Sequence, residues 1–223
     1  MKILATGATG NVGRNVVDLL LKAGAPVRAT SRDPQAADLP ETVDVRFGDF
    51  SDPHSFNNAL VGVEKVFLFP EPTGAHGFVE AAKRAGAKRV VLLSSMAVAA
   101  PDPGANPIAQ MHLTVEQAVK DSGLEWTFVR PGAFAANILR WAQAVQDGRE
   151  LRLPYAEATV SPIHERDIAA VAARALLEDD HAEAVHHITG PESLTQRRQA
   201  ELIGEAVGRP ISVVDLTGEE ARA

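Results

Sequence analysis

The sequence predicts an α/β fold in which helices cover both faces of a parallel β-sheet. Short β-rich runs alternate with longer amphipathic runs from the first residues onward, and this alternation is typical of βαβ crossovers. A turn with three glycines, Gly7, Gly10 and Gly13, separates the first apolar run from the first amphipathic one. The length of 223 residues suits a single domain with a small additional lobe.

Strands and helices alternate regularly up to Pro131. The predicted strands are KILAT, PVRATS, VDVRFGD, KVFLFP, KRVVLLSS and LEWTFVRP. The predicted helices are NVVDLLLKAG, GFVEAAKRAGA and LTVEQAVKDSG, which reach the helix-closing glycines Gly24, Gly86 and Gly123. Because crossovers between parallel strands are right-handed, this part of the chain predicts a doubly wound sheet.

The alternation loosens after Pro131. We expect a helix over FAANILRWAQAV and irregular structure over GRELRLPYAEATVSPIH, followed by the helix ERDIAAVAARALLED, the strand AVHHIT and the helix TQRRQAELIGEAVGR. The expected division is a sheet core at about 1–133 and 165–190, with a lobe at about 134–164 and 191–223. Thr217 and Glu220 have the spacing of a helix-start capping box, so we expect a helix to start there and a C-terminal segment to be either missing or disordered.

The composition excludes several classes of function. The net charge of −7 and the isoelectric point near 5.5 argue against a nucleic-acid partner, because phosphate binding requires a basic surface. The chain has no cysteine, which excludes disulfides and thiolate catalysis, and the histidines show no metal-ligand spacing. With no signal peptide and no apolar stretch that could span a bilayer, we expect a cytoplasmic protein without a membrane partner.

The glycine turn lies where a phosphate-binding loop would lie, between the first strand and the first helix. A helix start offers unpaired N–H groups and a positive dipole end, and glycines let the backbone approach a phosphate closely. Neither the Walker pattern nor G-x-G-x-x-G is complete, but G-x-x-G-x-x-G is present. The alternative interpretation is a plain glycine-rich connection.

The segment TGATGNVGRNVV resembles the N-terminal fingerprint of the short-chain dehydrogenase/reductase superfamily, in its extended and atypical branches. The segments VRATSRDP, GDFSDP, VEQAVKDSGLEWTFVRPGAFAANILRWA, SPIHERDIAAVAARAL and ITGPESLTQ resemble, in order, the atypical NmrA-like NAD(P)-binding proteins. The resemblance covers nearly the whole chain. It implies a Rossmann-type NAD(P)-binding domain with a small C-terminal substrate-side lobe.

The resemblance also implies the residues that contact the cofactor, which follow the glycine turn and the ends of the strands. They are Gly7, Thr9, Gly10, Asn11, Val12, Gly13, Ser31, Arg32, Asp49, Phe50, Phe69, Pro70, Ser94, Ser95, His112, Pro131, Gly132, Ala133 and Phe134. Asp49 matches the family's adenine-contacting aspartate. The alternatives are a turn residue for Asp49 and a core residue for Phe50.

The end of the second strand indicates which dinucleotide binds. An acidic residue there selects NAD through the ribose 2′-hydroxyl, whereas an arginine accommodates the 2′-phosphate of NADP. Arg32 occupies this position, and Ser31 could add a donor, so we expect NADPH in preference to NADH. Two alternatives stay open: Arg32 could be a surface charge paired with Asp33, and Asp33 could turn inward and favour NAD.

Active members of the superfamily carry a Tyr-x-x-x-Lys proton relay on the helix after the fifth strand, and this chain departs from that pattern. Its single tyrosine, Tyr155, lies elsewhere, while Ile108 and His112 occupy the two relay positions. His112 is the candidate catalytic residue, because a histidine can bond a ribose hydroxyl or donate to a product oxygen. The alternative is a packed or solvated helix residue.

The resemblance places five residues near the substrate: Met96, Asn137, Trp141, Tyr155 and His164. Core packing is an alternative for Trp141, and a structural role is an alternative for His164. Arg130 could likewise be a structural ion-pair partner rather than a ligand. We expect the substrate to be a small conjugated acceptor and the protein to be a monomer or a homodimer.

The missing relay bears on the reaction. Reduction of an ordinary ketone creates a basic alkoxide that needs an acid, whereas a quinone or a delocalised dye yields a stabilised product. We therefore expect an NADPH-dependent oxidoreductase that transfers hydride to a quinone or similar conjugated acceptor. The alternative is a non-catalytic NADP-binding redox sensor, whereas a sugar-nucleotide epimerase is disfavoured because its reaction needs the missing pair.

Overall fold

The computed structural model describes residues 2–220, which fall into two compact units. The first unit contains the described residues up to Pro131 together with Glu165–Ile188. The second contains Gly132–His164 and the described residues from Thr189 onward. No helix in the described range is both long and apolar enough to cross a membrane.

The secondary structure alternates between strands and helices along most of the chain. The strands are β1 (Lys2–Ala5), β2 (Val27–Ser31), β3 (Asp44–Phe47), β4 (Val63–Leu68), β5 (Arg89–Leu93), β6 (Glu125–Pro131), β7 (Leu151–Pro154), β8 (Thr159–Val160), β9 (Ala184–Ile188), β10 (Leu194–Thr195) and β11 (Val213–Leu216). The α-helices are α1 (Asn11–Lys22), α2 (Asn57–Leu60), α3 (Ala75–Arg84), α4 (Pro107–Asp121), α5 (Ala142–Gln146), α6 (Glu165–Leu177) and α7 (Gln196–Val207). Short 3₁₀ helices cover Pro53–Phe56, Met96–Ala99, Pro103–Ala105 and Ala135–Trp141.

The first unit is built on a seven-stranded sheet with the order β3-β2-β1-β4-β5-β6-β9. Every neighbouring pair in this sheet is parallel. The strand order reverses between β1 and β4, which is the place where doubly wound sheets open a crevice at the strands' carboxyl ends. The predicted parallel sheet is confirmed, including all six strands before Pro131 and the later strand at AVHHIT.

The helices of the first unit cover the two faces of the sheet. On one face α1 packs beside α6, which also contacts β4, β5 and β6. On the other face α2, α3 and α4 bury a cluster whose largest members are Phe56, Phe78 and Phe128. Burial of such aromatic side chains is a main source of core stability. The sheet is therefore apolar on both faces, as expected for a parallel sheet.

Helix α4 begins six residues before the predicted LTVEQAVKDSG segment, and a start signal explains why. The Asn106 side chain accepts hydrogen bonds from the N–H groups of Ile108 (2.9 Å) and Ala109 (3.4 Å), and Pro107 occupies the first helical position. An asparagine cap followed by proline is a strong helix start. The longer helix includes both Ile108 and His112.

The second unit has its own small core around Trp141, Leu151 and Leu153. Strand β7 pairs in parallel with β11, and β8 pairs antiparallel with β10. The expectation of irregular structure over GRELRLPYAEATVSPIH was therefore wrong in part, because β7 and β8 lie within it. The predicted helix over FAANILRWAQAV divides into the 3₁₀ segment Ala135–Trp141 and the short helix α5.

The predicted capping box at the end of the described residues is present. The Thr217 N–H group donates to Glu220 Oε2 at 2.9 Å, and the Glu220 N–H group donates to Thr217 Oγ1 at 3.3 Å. These are the two reciprocal bonds of the motif. The helix expected to follow lies outside the described residues.

The closest approach of α1 to β1 occurs at the glycine turn. A Cβ atom on Gly13 would overlap the carbonyl oxygen of Gly7, which is backbone and cannot move aside cheaply. Gly13 is buried in the first turn of α1. The helix can therefore meet the end of β1 at this distance only with glycine at position 13.

We predict that Gly13→Ala lowers the free energy of unfolding by about 1–3 kcal/mol, the usual cost of overpacking a filled site. Denaturant titration of the purified variant measures this change. Gly104→Ala is the matched control, because its added Cβ would have its nearest contact at an ordinary 3.5 Å. Equal unfolding free energies for wild type and Gly13→Ala would contradict the described packing.

Candidate functional site

A cavity of about 610 Å³ opens at the carboxyl ends of β1, β2, β3 and β4 in the first unit. Four connections form its wall: the glycine turn after β1, the end of β2, the loop after β3 and the loop after β4. The lining residues are Gly7, Thr9, Gly10, Thr30, Ser31, Arg32, Asp33, Gly48, Asp49, Phe50, Ser51, Phe69, Glu71 and Thr73. Its position at the reversal of strand order is where doubly wound sheets bind their ligands.

The glycine turn presents the start of α1 to this cavity. Gly10 is the N-cap residue, and neither a side-chain cap nor an acidic residue in the first turn occupies the helix start. Gly7 has a φ of +58°, and a Cβ atom there would lie 2.8 Å from Phe69 Cβ. The unpaired N–H groups and the positive dipole end therefore face a space that side chains leave open. These features fit the diphosphate of a dinucleotide.

Arg32 lies at the end of β2 with an exposed side chain, and none of the described ion pairs includes it. Asp33 is engaged within its own turn, where Oδ1 accepts the N–H groups of Gln35 (3.1 Å) and Ala36 (3.2 Å). The Ser31 hydroxyl is likewise bonded to the backbone of Asp33. The alternative in which Arg32 pairs with Asp33 is therefore not found in the described structure.

Asp49 and Phe50 form the part of the wall beside the end of β2, because β3 is the neighbour of β2 in the sheet. Asp49 Oδ1 accepts the Ser51 N–H group at 2.9 Å. Hydrogen bonds from Ser51, with a smaller contribution from the charge of Arg32, hold the pKa of Asp49 below its usual value. The Phe50 ring packs against Phe56 at 5.0 Å, so Phe50 both lines the cavity and contacts the core.

Thr6 joins the two strands at the reversal of strand order. Its hydroxyl donates to the carbonyl oxygen of Phe67 at 3.2 Å and accepts the N–H group of Phe69 at 2.8 Å. This buried tether fixes Phe69 against Gly7. The sequence analysis did not identify this role of Thr6. The feature that could have indicated it is a threonine directly after a buried strand.

Six lining residues are absent from the predicted cofactor contacts: Asp33, which was considered only as an alternative, and Thr30, Gly48, Ser51, Glu71 and Thr73. All of them lie at or just after the carboxyl end of a strand, which is the position that could have identified them. Eleven of the predicted cofactor residues do not line the cavity: Asn11, Val12, Gly13, Pro70, Ser94, Ser95, His112, Pro131, Gly132, Ala133 and Phe134. Asn11, Val12 and Gly13 form the first turn of α1, and Pro70 is buried.

A buried polar network ties α4 to β5 and β6. Glu116 Oε1 accepts from the Ser94 hydroxyl at 2.5 Å, and the guanidinium of Arg130 donates to both carboxylate oxygens, at 2.8 and 2.6 Å. Glu116 is only 2% exposed. A buried charge needs such a partner, and a bidentate arginine supplies it. Arg130 is thus an ion-pair partner, and the Ser94 hydroxyl is committed to Glu116.

His112 lies one helical turn before Glu116 and is only 7% exposed. Its Nδ1 atom is buried and has no hydrogen-bond partner among the described residues. Burial lowers the pKa of His112, and the nearby charge of Glu116 opposes this effect only in part. His112 is therefore held as the neutral imidazole, and it does not line the 610 Å³ cavity.

The other predicted site residues are divided between the two units. In the first unit, the Ser95 hydroxyl accepts the Ala97 N–H group and so caps the short 3₁₀ helix that begins at Met96, while Pro131 is buried at the end of β6. The remaining predicted residues belong to the second unit: Gly132, Ala133, Phe134, Asn137, Trp141, Tyr155 and His164.

A cavity of about 270 Å³ lies within the second unit. Of the predicted residues, Ala133, Phe134, Asn137 and Trp141 line it, whereas Tyr155 and His164 do not. Trp141 also belongs to the core cluster of this unit, so the core packing considered for it is present, and its contact with a substrate stays a prediction. Tyr155 is exposed and has a φ of +55°.

One group of possible metal ligands occurs among the described residues, at Glu178, Asp180 and His181. It lies between α6 and β9, at the amino end of the strands and away from the 610 Å³ cavity. Glu178 also pairs with Arg174 at 3.0 Å, and His181 Nδ1 lies 3.2 Å from His186 Nε2. The histidine spacing in the sequence did not indicate this group.

Comparison with known proteins agrees with this geometry. The family model described as NAD(P)H-binding matches residues 7–179. The chain is 39% identical over 224 residues to the (4-alkanoyl-5-oxo-2,5-dihydrofuran-3-yl)methyl phosphate reductase of Streptomyces griseus, with 99% of this chain and 79% of that protein covered. It is 38% identical over 227 residues to the NAD(P)H azoreductase of Xenophilus azovorans, with the same coverage.

Among solved structures, the NADPH-dependent quinone oxidoreductase QOR2 of Escherichia coli, complexed with NADPH, superposes with a TM-score of 0.84 at 26% sequence identity. The match covers 96% of this chain and 78% of that one. The Rossmann-type sheet predicted from the sequence is thereby confirmed. The chain belongs to the NAD(P)H-binding family of atypical short-chain dehydrogenases/reductases.

Proposed function

We propose that the protein is an NADPH-dependent reductase that transfers hydride to a quinone or similar conjugated acceptor. The observation that carries the proposal is the 610 Å³ cavity, in which an uncapped helix start and an unpaired arginine line one wall. The names of the relatives, a furan-phosphate reductase, an azoreductase and a quinone oxidoreductase, support reduction of conjugated compounds. When bound, the cofactor supplies the hydride.

Arg32 supports NADPH in preference to NADH. Its guanidinium lies at the end of β2 without an ion-pair partner among the described residues, and it can form charge-assisted hydrogen bonds to a 2′-phosphate. The carboxylate of Asp33 accepts backbone N–H groups of its own turn. One oxygen of Asp33, Oδ1, is thus engaged within its own turn, which makes Asp33 a less available partner for the 2′-hydroxyl of NAD than a free carboxylate.

The composition of α4 supports the class of acceptor. Its residues include no tyrosine. By the resemblance described above, Ile108 and His112 correspond to the two positions of the superfamily's proton relay. Ile108 cannot donate a proton, and burial keeps His112 neutral. A quinone suits such a site, because hydride addition gives a hydroquinone anion that is stabilised by delocalisation and does not need a strong acid.

We assign His112 a hydrogen-bonding role rather than that of a charged proton donor. A neutral imidazole offers one donor and one acceptor nitrogen, and Nδ1 has no partner in the described structure. An unpaired buried polar atom is costly, so a ribose hydroxyl of the cofactor would remove that cost. Glu116, one turn away, is already paired with Arg130 and does not compete for His112.

The first prediction concerns cofactor preference. Arg32→Ala should weaken NADPH binding by about 1.5–3 kcal/mol, the range for a hydrogen bond to a charged group, and should barely change NADH binding. Fluorescence titration with each cofactor measures the two affinities. Arg46→Ala is the matched control, because Arg46 is an exposed arginine on β3 that does not line the cavity. Unchanged NADPH affinity in Arg32→Ala would contradict the assignment of Arg32 as the residue that binds the 2′-phosphate.

The second prediction concerns turnover. The purified protein should consume NADPH in the presence of quinones and azo compounds, and more slowly with simple ketones and aldehydes, as followed by the absorbance of NADPH. Gly7→Val should abolish consumption, because any Cβ at this position meets Phe69. Tight NADPH binding without consumption across the panel would favour the redox-sensor alternative.

The third prediction concerns pH. Because burial lowers the pKa of His112 in the folded state, the unfolded state binds its proton more readily as the pH falls below the ordinary histidine value of about 6.5. The free energy of unfolding should therefore fall between about pH 7 and about pH 5, and His112→Asn should reduce this fall. His186, whose pKa is also lowered, acts in the same direction.

Denaturant titrations at the two pH values measure this effect. His54→Asn is the control, since it makes the same substitution at an exposed histidine. If His112→Asn loses as much stability as the wild type on acidification, His112 is not held neutral by burial.

A further inference from the structure

The 270 Å³ cavity of the second unit combines aromatic walls with a few polar groups. Its lining residues are Ala133, Phe134, Asn137, Ile138, Arg140, Trp141, Ala158, Val160, Pro162, Gln196 and Gln199. None of these described lining residues is acidic. The volume lies just below the range of roughly 300–1,000 Å³ that is typical of drug-sized ligands. The cavity thus has the size and composition for a small, flat, uncharged or anionic molecule.

Gln199 is the unusual member of this wall. It lies on α7 and is only 8% exposed, and its Nε2 atom is buried without a hydrogen-bond partner among the described residues. Buried amide donors are nearly always paired, so each exception calls for an explanation. An apolar side chain of the same length would fill the position without this cost.

The other glutamine of the wall, Gln196, finds hydrogen-bond partners within the protein. Gln196 Nε2 donates to the carbonyl oxygens of Pro154 (2.8 Å) and Tyr155 (3.2 Å), and its Oε1 accepts from Arg140 at 3.2 Å. One turn of α7 separates Gln196 from Gln199. The first glutamine is fully engaged with protein groups, and the second has an amide donor to offer.

An acceptor on a ligand would supply the missing partner of Gln199. The last side-chain torsion of glutamine is broad, so the amide can turn toward the cavity without moving α7. A carbonyl oxygen accepts one such N–H group, and the faces of Phe134 and Trp141 suit the flat ring that carries it. Arg140 adds a positive charge, which favours an electron-rich oxygen.

We propose that this cavity is a binding subsite for a one- or two-ring aromatic carbonyl compound, with Gln199 as the donor to its carbonyl oxygen. The choice of a quinone as the ligand rests on the proposed function. Gln199 is then a specificity-determining residue that separates carbonyl-bearing rings from plain hydrocarbon rings of the same size.

The sequence provides a direct probe of binding at this cavity. The chain has two tryptophans, and Trp126 belongs to the first unit, where its ring stacks on Phe128 with the ring centroids 4.3 Å apart. Trp126→Phe leaves Trp141, in the cavity wall, as the single tryptophan. Its fluorescence is titrated with 1,4-naphthoquinone, a quencher, in the absence of cofactor. Because the chain has no cysteine, the quinone cannot add to a thiol during the titration.

In this background, Gln199→Met should weaken 1,4-naphthoquinone binding by about fivefold to tenfold, as expected for one hydrogen bond. The affinity of 1-methylnaphthalene, which has the two rings but no oxygen, is measured by its competition with the quinone and should be the same with and without Gln199→Met. The melting temperature should be equal or higher, since the variant removes an unpaired buried donor. The control Gln146→Met replaces an exposed glutamine of the same unit and should alter neither value.

Equal quinone affinities in wild type and Gln199→Met would overturn the subsite, even if the protein reduces quinones with NADPH. Conversely, Gln199-dependent binding without NADPH consumption would support the subsite and contradict the proposed function. Gln199→Glu is the second variant: it keeps the shape but replaces the donor by an acceptor, so it should weaken binding at least as much as methionine. Unchanged affinity in Gln199→Glu would also overturn the proposal.

Discussion

The contact between the start of α1 and the end of β1 is the constraint on which the rest of the first unit depends. Gly13 rests against the carbonyl of Gly7 with no room for a side chain, so the helix axis is fixed relative to the strand. This contact directs the unpaired N–H groups of α1 toward the cavity. Since β1 lies beside both β2 and β4, the same contact sets the helix start at the reversal of strand order. Thr6 then couples β4 to the same point.

The first unit handles charge differently in two regions. At the cavity, Arg32 is exposed and has no ion-pair partner in the described structure, so it is available to a ligand. At α4, Glu116 and Arg130 form an ion pair with each other, and Glu116 also accepts a hydrogen bond from Ser94. Burial lowers the pKa of His112 beside them and so favours its neutral form. The 610 Å³ cavity therefore attracts anions, whereas the hydrogen bonds of the network at α4 hold its protons in fixed positions. This distribution suits binding of a phosphorylated cofactor more than acid catalysis.

Local patterns in the sequence predicted the sheet because each strand is a short apolar run closed by a turn. The glycine spacing and Arg32 also predicted much of the cavity wall, although the ligand contacts themselves stay predictions. Other features depend on partners far along the chain. Strand β7 is completed by pairing with β11, and its own alternation, Leu151-Arg152-Leu153, is too short to predict a strand by itself. Gln199 looks like any polar residue of an amphipathic helix, since the sequence does not reveal that its amide is buried and unpaired.

The pairing of β7 with β11 has a consequence for synthesis on the ribosome. Leu151 and Leu153 of β7 are buried in the folded second unit, but their partners Val213–Leu216 emerge only after α6, β9 and α7 have been made. During this interval the apolar edge of β7 has no native neighbour, which is the condition under which a nascent chain attracts chaperones or associates with other chains. The second unit is thus completed late, whereas the strands β1 to β6 can already assemble as they emerge.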